Sequence, residues 1–125
     1  MVDGLVDTSI LIDCLRLRAE AQAWLRQQSK LGVSPVVWLE ILDGAANRSE
    51  QRKAIKLLRP LVRVDPTTED FEWSIRNAIR FGLSHGVQRS DFMIAATSHR
   101  LQIPLYTLNL KHFTPLLGAL AKKPY

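Results

Sequence analysis

Residues 2–13 have the sequence V-D-G-L-V-D-T-S-I-L-I-D, and this stretch predicts the class of fold. The apolar residues up to Val6 predict a short buried strand, and those from Ile10 onward recur at helical spacing. Asp7 stands at the joint between the two. In an open parallel sheet, ligands bind just beyond the carboxyl ends of the strands. The position of Asp7 therefore suits ligand binding better than it suits core packing.

The alternation of strand and helix continues along the chain. The sequence predicts strands at residues 2–6, 31–33, 61–64 and 103–107, and helices at 9–17, 19–30, 36–47, 49–58, 67–81 and 90–100. Residues 82–89 are predicted to form a loop, while residues 110–125 fit either a short helix or an edge strand. Alternating elements of this kind predict an α/β protein in which helices cover both faces of a parallel sheet. We expect a three-layer α/β/α sandwich with four to five parallel strands, forming a single domain over residues 1–125.

The composition is that of an ordinary globular protein, with 46% apolar and 23% charged residues. No apolar stretch approaches the ~20 residues that span a bilayer, and the first residues are not basic, so we expect a cytoplasmic protein with no membrane partner. The single cysteine, Cys14, excludes an internal disulfide and lies on an apolar helical stripe. A formal charge of +5 is compatible with a polyanionic partner and equally with simple solubility.

The cations are concentrated in two segments. One basic block has a single internal acid, Glu50, and comprises Arg48, Arg52, Lys53, Lys56, Arg59 and Arg63. The other follows Asp91, the last acid of the chain, and comprises Arg100, Lys111, Lys122 and Lys123. Such clusters suit the backbone of a nucleic acid. A third group, Glu72, Arg76 and Arg80, shares one helix face, which is suited to phosphate but more typical of a solvated surface.

Three further polar residues are candidates for the same edge of the sheet as Asp7, because right-handed crossovers bring the carboxyl ends of parallel strands to one edge. Asn109 follows the last predicted strand, and Asp91 lies in the first turn of a helix, where an acid is also an ordinary cap. Glu40 lies inside an almost wholly apolar helix. Taken alone it is most simply a partly exposed helix former, but if it is buried it needs a cation, a metal or water.

Four segments of the chain, taken in order, resemble a known family. They are VDTSILID, WLEIL, SDFMIAAT and LYTLNLKHF, and the resemblance runs from Val2 to about Phe113. Together they resemble a PIN domain and, more narrowly, the VapC toxins of toxin–antitoxin pairs. The resemblance implies divalent-metal-dependent endoribonuclease activity, a homodimer, and inhibition by a cognate VapB-like antitoxin.

The resemblance also assigns site residues. Asp7, Glu40 and Asp91 match the first three acids of the family, and Asn109 matches a fourth position that is often Asp. Asn in place of Asp at this position removes one formal charge, but its amide oxygen can still bind a metal or orient a ligand water. Carboxylates with water suit Mg²⁺ or Mn²⁺, and no cluster of Cys and His indicates zinc.

From this match we expect specific roles at the site. Asp7 and Asp91 are the principal metal ligands, Glu40 binds through water or a second ion, and Asn109 assists. Thr8 and Ser9 match a hydroxyl-bearing pair in the family that supports the acids. His112 is expected to be a packed or rim residue rather than a base.

Two alternatives stay open. A PIN-like module that binds nucleic acid without cutting it would explain the missing fourth carboxylate. A receiver-like phosphoacceptor domain also gathers acids at strand ends, but it requires an adjacent acidic pair, which Asp3 and Asp7 do not form. The RNA target is not specified by the sequence, because related toxins cut different tRNAs or ribosomal sites. Exposed apolar residues such as Trp24, Trp73 and Leu83 are candidates for the dimer interface.

Overall fold

Five short strands form one parallel sheet in the computed structural model, which describes residues 1–83 and 87–125. They are Gly4–Val6 (β1), Leu31–Val33 (β2), Val62–Arg63 (β3), Leu105–Tyr106 (β4) and Ala121–Lys122 (β5). Leu5 pairs with Gly32 on one side and with Leu105 on the other, which places β1 at the centre. The predicted parallel sheet of four to five strands is confirmed.

Helices account for most of the rest of the described chain. They are Thr8–Leu15 (α1), Ala19–Arg26 (α2), Pro35–Asp43 (α3), Arg48–Leu58 (α4), Thr68–Phe81 (α5), Arg89–Leu101 (α6) and Leu110–Leu117 (α7), and a 3-10 turn, Gly118–Leu120, precedes β5. The helices α1 to α4 pack on one another, as do α5 to α7, and α3 also contacts α6. The three-layer α/β/α sandwich predicted from the sequence is confirmed. Across residues 1–83 and 87–125, no helix combines the length and the apolar content needed to cross a membrane.

The order β3-β2-β1-β4-β5 has a reversal at its centre. From β1 the chain adds β2 and β3 on one side, and it then crosses over to add β4 and β5 on the other. Such a switch point opens a crevice at the carboxyl ends of the two central strands, here β1 and β4. The flavodoxin-like order of receiver domains, 2-1-3-4-5, is different. The strand order therefore does not support the receiver-like alternative.

Several predicted boundaries move, for local reasons. The helix α1 ends at Leu15 because Leu17 adopts a left-handed backbone conformation, with φ of 63°. The helix α4 begins at Arg48 rather than at residue 49, because the side chain of Asn47 caps it by accepting the Glu50 amide at 2.9 Å. The segment 110–125 contains both of the predicted alternatives, α7 and the edge strand β5. The predicted loop at 82–89 is shortened because α6 begins at Arg89, and its residues 84–86 lie outside the described part of the chain.

The core fills the space between the sheet and the helices. Its largest fully buried apolar side chains are Phe113, Leu5, Ile10, Leu11, Leu58, Ile94 and Leu105. Cys14 belongs to this interior, as predicted, and burial raises the pKa of its thiol to about 11. Asp13 has a structural role, because it accepts the Tyr125 hydroxyl at 2.8 Å and pairs with Arg18.

The helix α5 directs three of its apolar residues outward. Its buried side chains are polar: Asp70 and Ser74 face α6. Phe71, Ile75 and Ile79, which share the opposite face, are 54%, 61% and 80% exposed. Trp73 packs against the core and stacks on His99 of α6, whereas the face of Phe71, Ile75 and Ile79 is left uncovered.

Candidate active site

Asp7 lies at the bottom of the switch-point crevice, immediately after β1, and is only 3% exposed. Its Oδ2 atom accepts two hydrogen bonds, from the hydroxyls of Ser9 and Thr107, both at 2.8 Å. No described residue donates a hydrogen bond to its Oδ1 atom. This atom is also not one of the fully buried polar atoms that lack a partner in the described chain. One carboxylate oxygen is therefore fixed by the protein, and the other is accessible to a ligand.

Glu40 is brought to the crevice by α3 and is half-buried. Thr8 donates its hydroxyl to Oε1 at 3.0 Å, and Ser90 donates to Oε2 at 3.4 Å. These bonds connect Glu40 to the first residue of α1 and to the first turn of α6. Burial raises the pKa of Glu40, and the charges of Asp7 and Asp91 raise it further, although the two hydroxyls oppose the rise. Glu40 is thus a site-facing acid and not simply an exposed helix former.

Asp91 occupies the first turn of α6 and is 9% exposed. Its Oδ2 atom accepts the backbone amide of Gln88 at 3.3 Å and lies 3.3 Å from Nδ1 of His112. Burial raises the pKa of Asp91, with a further contribution from the charge of Asp7, and the Gln88 amide and His112 offset part of this. Asp91 therefore caps the helix, as an acid in the first turn ordinarily does, and it also faces the other acids.

Asn109 lies at the same edge but is placed differently. Its backbone amide donates to the hydroxyl of Thr107 at 2.9 Å, which links it indirectly to Asp7. The residue is exposed, and its side chain forms no hydrogen bond with any part of the chain that is described. The structure therefore brings together three of the four predicted residues by their side chains and the fourth by its backbone.

The supporting residues were predicted in part. Thr8 and Ser9 do contact the acids, and His112 lies at the rim beside Asp91. Neither Thr107 nor Ser90 was predicted to support the acids, although both lie in the segments that resemble the family. Thr107 stands two residues before Asn109, and Ser90 stands one residue before Asp91. A hydroxyl residue at the end of a strand that precedes a site residue is the signal that could have identified Thr107, which is wholly buried.

The arrangement gathers negative charge without a compensating cation. Among the described residues, no Lys or Arg forms an ion pair with Asp7, Glu40 or Asp91. In the same part of the chain, no three His, Cys, Asp or Glu side chains form a ready-made metal cage. The donor set nevertheless fits Mg²⁺ or Mn²⁺, because Mg²⁺ binds through one or two carboxylates and keeps several waters. An open site that water completes is what these oxygen ligands can provide.

The fold and the site together define a class: α/β/α proteins that collect carboxylates at the switch point of a parallel sheet. Residues 4–113 match the model of the PIN domain family. The chain belongs to this family, as the sequence resemblance predicted.

Two relatives and one solved structure illustrate what the chain is similar to. It is 33% identical over 114 residues to Ribonuclease VapC10 of Mycobacterium tuberculosis, covering 87% of this chain and 84% of the relative. It is 31% identical over 115 residues to Ribonuclease VapC19 of the same organism, covering 87% and 90%. Among solved structures, a toxin–antitoxin complex from Klebsiella pneumoniae contains a chain that matches with a TM-score of 0.80 and 25% identity, covering 98% of both chains.

Proposed function

We propose that this protein is a divalent-metal-dependent endoribonuclease, and that it acts as the toxin of a toxin–antitoxin pair. The observation that carries the proposal is the convergence of Asp7, Glu40 and Asp91 at the switch-point crevice without a pairing Lys or Arg in the described chain. Membership of the PIN family and the two relatives named as ribonucleases support the choice of RNA as the substrate.

The reaction is hydrolysis of an RNA phosphodiester. Water adds to phosphorus, the bond from phosphorus to the 3′ oxygen breaks, and the products are a 5′-phosphate and a 3′-hydroxyl. A divalent ion, when bound, supplies charge that activates water and offsets negative charge on the phosphate. Asp7 and Asp91 would hold this ion by their accessible oxygens, Glu40 would bind through water or a second ion, and Asn109 would orient a ligand water from the rim.

The neighbouring residues prepare the acids for these roles. Ser9 and Thr107 fix the orientation of Asp7 by occupying Oδ2, and His112 and the Gln88 amide occupy Oδ2 of Asp91. Held side chains need less reordering when a ligand binds, which is why outer partners affect metal affinity. The proposed site chemistry therefore depends on the hydroxyls that orient Asp7.

A groove of about 410 Å³ next to Glu40 offers room for a bound chain. Ile12, Leu15 and Ile41 form part of its apolar lining, and Arg16 and Lys53 add positive charge. Together with the exposed cations of α4, these residues would hold the phosphate backbone. Binding of RNA should therefore weaken steeply as salt rises.

The partner proposals follow from the same resemblance. A VapB-like antitoxin is supported by the toxin–antitoxin complex among the similar structures. We also propose that residues 1–125 form a single PIN domain, that the protein is a homodimer, and that it works in the cytoplasm. Whether the RNA is a tRNA or a ribosomal RNA is a question for the cleavage assay.

The test is to incubate the purified protein with total cellular RNA in Mg²⁺, in Mn²⁺ or in EDTA, and to map new 5′-phosphate ends. We expect fragments with either ion, none in EDTA, and none from an Asp7→Asn variant that keeps its circular dichroism spectrum. Full activity in that variant would refute the site assignment. RNA binding without new ends in either metal would favour the alternative, a PIN-like binding module, which the exposed Asn109 side chain makes worth testing.

A further inference from the structure

The register of the sheet places the end of β5 beside the crevice. Tyr106 on β4 is level with Val6 on β1 and with Lys122 on β5. The next residue along β1 is Asp7, and the next after β5 is Lys123. Neighbouring strands lie about 4.8 Å apart, and β4 separates β1 from β5, so the backbone of Lys123 lies ~10 Å from that of Asp7.

A third lysine reaches the same edge of the sheet from the helix after β4. Lys111 lies in the first turn of α7, two residues after Asn109. The ladder between β4 and β5 continues to this edge, because the Thr107 amide donates to the Lys122 carbonyl at 2.9 Å. The three residues Lys111, Lys122 and Lys123 are all exposed, and we call them the edge lysines.

The charge of the edge lysines is not balanced by acids. In the part of the chain that is described, none of the three forms an ion pair, and the sequence after Asp91 contains no Asp or Glu. The other end of the sheet differs. Arg63 at the end of β3 pairs with Asp65 at 2.8 Å, and the exposed acids Glu69 and Glu72 follow in α5. The carboxyl edge of the sheet is therefore positive beyond β5 and not beyond β3.

We propose that the RNA backbone leaves the crevice over the ends of β4 and β5, where the edge lysines bind its phosphates. The proposed path rests on the ribonuclease function. The groove next to Glu40 and the cations of α4 would hold the strand on one side of the scissile bond, and the edge lysines would hold it on the other. At the ~3.4 Å charge spacing of a stacked strand, a distance of ~10 Å corresponds to about three phosphates.

Cations on this side offset a repulsion within the site. The carboxylates of Asp7, Glu40 and Asp91 repel a polyanion, and this repulsion is strongest where the RNA must approach them. Exposed lysines also favour solubility, but solubility does not require that they lie at the edge that holds the acids. Lysine binds phosphate as a point charge, and phosphate contacts fix the register of a bound strand without reading its bases. The edge lysines would thus position the RNA and take no part in the reaction itself.

The first experiment measures RNA affinity as salt is raised. All proteins carry Asp7→Asn so that the RNA stays intact, and the probe is a short fluorescein-labelled single-stranded RNA of mixed sequence, in Mg²⁺. Changing the three edge lysines to Gln should weaken binding by about tenfold or more at low salt. It should also reduce the slope of log affinity against log salt by about two, since each contact with a single strand contributes ~0.7.

The matched control removes the same charge from exposed positions away from the end of β5. It changes Arg26 at the end of α2, Lys30 before β2 and Arg63 in β3 to Gln. Because these residues lie off the proposed path, the control should leave the slope of the salt dependence unchanged. Melting curves of both triple variants should match that of the parent, since every substituted side chain is exposed.

The second experiment uses active protein and an RNA that contains the mapped cleavage site. Shortening this RNA to a single nucleotide on either side of the scissile bond should raise the KM of the parent. In the edge-lysine variant, shortening on one of the two sides should have no further effect, because that contact is already lost. The effect of the variant should fall on KM rather than on kcat, as expected when only uniform binding is removed.

Each outcome decides the proposed path. If the edge-lysine variant and the control change the salt slope equally, or if the variant responds to shortening on both sides as the parent does, the path is refuted, while cleavage by the parent leaves the ribonuclease function standing. Binding of the probe with no new RNA ends in either metal would refute the ribonuclease function, and the salt slopes would still decide the path. A parent that does not bind the probe would refute the path.

Discussion

The carboxylate of Asp70 and the carboxylates of the crevice have opposite electrostatic surroundings. Asp70, 1% exposed, accepts hydrogen bonds from Arg100 at 2.8 and 3.2 Å, from Thr97 at 3.0 Å and from the Thr67 amide at 3.1 Å. Burial alone would raise its pKa, but these donors, Arg100 first, bring the pKa below its ordinary value. The acids of the crevice also have hydroxyl and amide donors, yet burial and mutual repulsion raise the pKa of both Glu40 and Asp91.

The two sites differ chiefly in the guanidinium of Arg100, which lies beside Asp70. Around Asp70 the chain supplies its own cation, so the charge is balanced within the fold and contributes to stability. Around Asp7, Glu40 and Asp91 the described chain supplies no Lys or Arg, and the one basic side chain beside them is His112, 3.3 Å from Asp91. The negative charge of the site is therefore not balanced by a permanent cation, and an added cation would balance it. The comparison therefore separates a carboxylate that stabilises the fold from carboxylates that we propose bind a ligand.

The largest expected effect is on activity. Asp7→Asn removes a proposed metal ligand, and we expect cleavage to fall about 1,000-fold, as when a preorganised electrostatic partner of the reacting group is lost. Its thermal stability should be near that of the parent, because the amide can still contact Ser9 and Thr107. Initial cleavage rates on one RNA, paired with melting curves, would check both points. A large loss of stability would mean that Asp7 is structural, like Asp70.

The next effect is on stability alone. Arg100→Ala leaves Asp70 buried without its cation, and breaking a buried pair from one side should cost about 3 kcal/mol in the free energy of unfolding. The matched control is Arg63→Ala, whose ion pair with Asp65 at 2.8 Å is exposed on both sides. Exposed pairs contribute little, so the control should change stability by less than about 1 kcal/mol. Urea unfolding of both variants makes the comparison, and equal losses would refute the distinction.

Two buried threonines allow the same comparison at the level of a single hydroxyl. Thr107 donates to Asp7 and Thr97 donates to Asp70, at 2.8 and 3.0 Å, and both are fully buried. Thr107→Val should lower the cleavage rate about tenfold, as is typical when a partner that orients a metal ligand is lost. Thr97→Val should leave that rate unchanged and lower stability by about 1 kcal/mol, the usual contribution of one hydrogen bond. If Thr97→Val lowered the cleavage rate and Thr107→Val lowered only stability, the roles assigned here to Asp70 and Asp7 would be wrong.

The sequence predicted the fold well, because strand and helix periodicity and the acids at element ends are local signals. Asp7 and Asn109 follow strands, so their shared edge is a consequence of parallel topology. Glu40 was ambiguous because its role depends on Thr8 and Ser90, which are 32 and 50 residues away. Long-range partners of this kind leave no periodic pattern.

The buried face of α5 was harder to predict from the sequence, for a similar reason. Phe71, Ile75 and Ile79 at four-residue spacing indicate an amphipathic helix, but the spacing does not say which face is buried. That is decided by Arg100, 30 residues beyond Asp70, which draws the polar face inward. Of the residues predicted to be exposed interface candidates, Leu83 is fully exposed, whereas Trp24 and Trp73 are partly buried against the core.

The smallest expected effect is a pH dependence of stability, measured in EDTA, that has opposite signs in the two clusters. The folded protein protonates Asp91 at a higher pH than the unfolded chain does, so ionised Asp91 lowers stability at pH 7, and this cost disappears as pH falls through the raised pKa. Ionised Asp70 stabilises the fold above its ordinary pKa of 3.8, and its contribution is lost only as pH falls through the lowered pKa.

Two substitutions test these opposite pH dependences. Asp91→Asn should be more stable to urea than the parent at pH 7, and the two should converge as pH falls through the raised pKa to below 3.8, where Asp91 becomes protonated in the unfolded chain as well. Asp70→Asn should be less stable than the parent at pH 7, and its deficit should shrink only below pH 3.8, because Arg100 keeps the folded carboxylate ionised. If both variants changed stability in the same direction at pH 7, the crevice acids would be balanced within the fold after all, and the case for an added cation would fail.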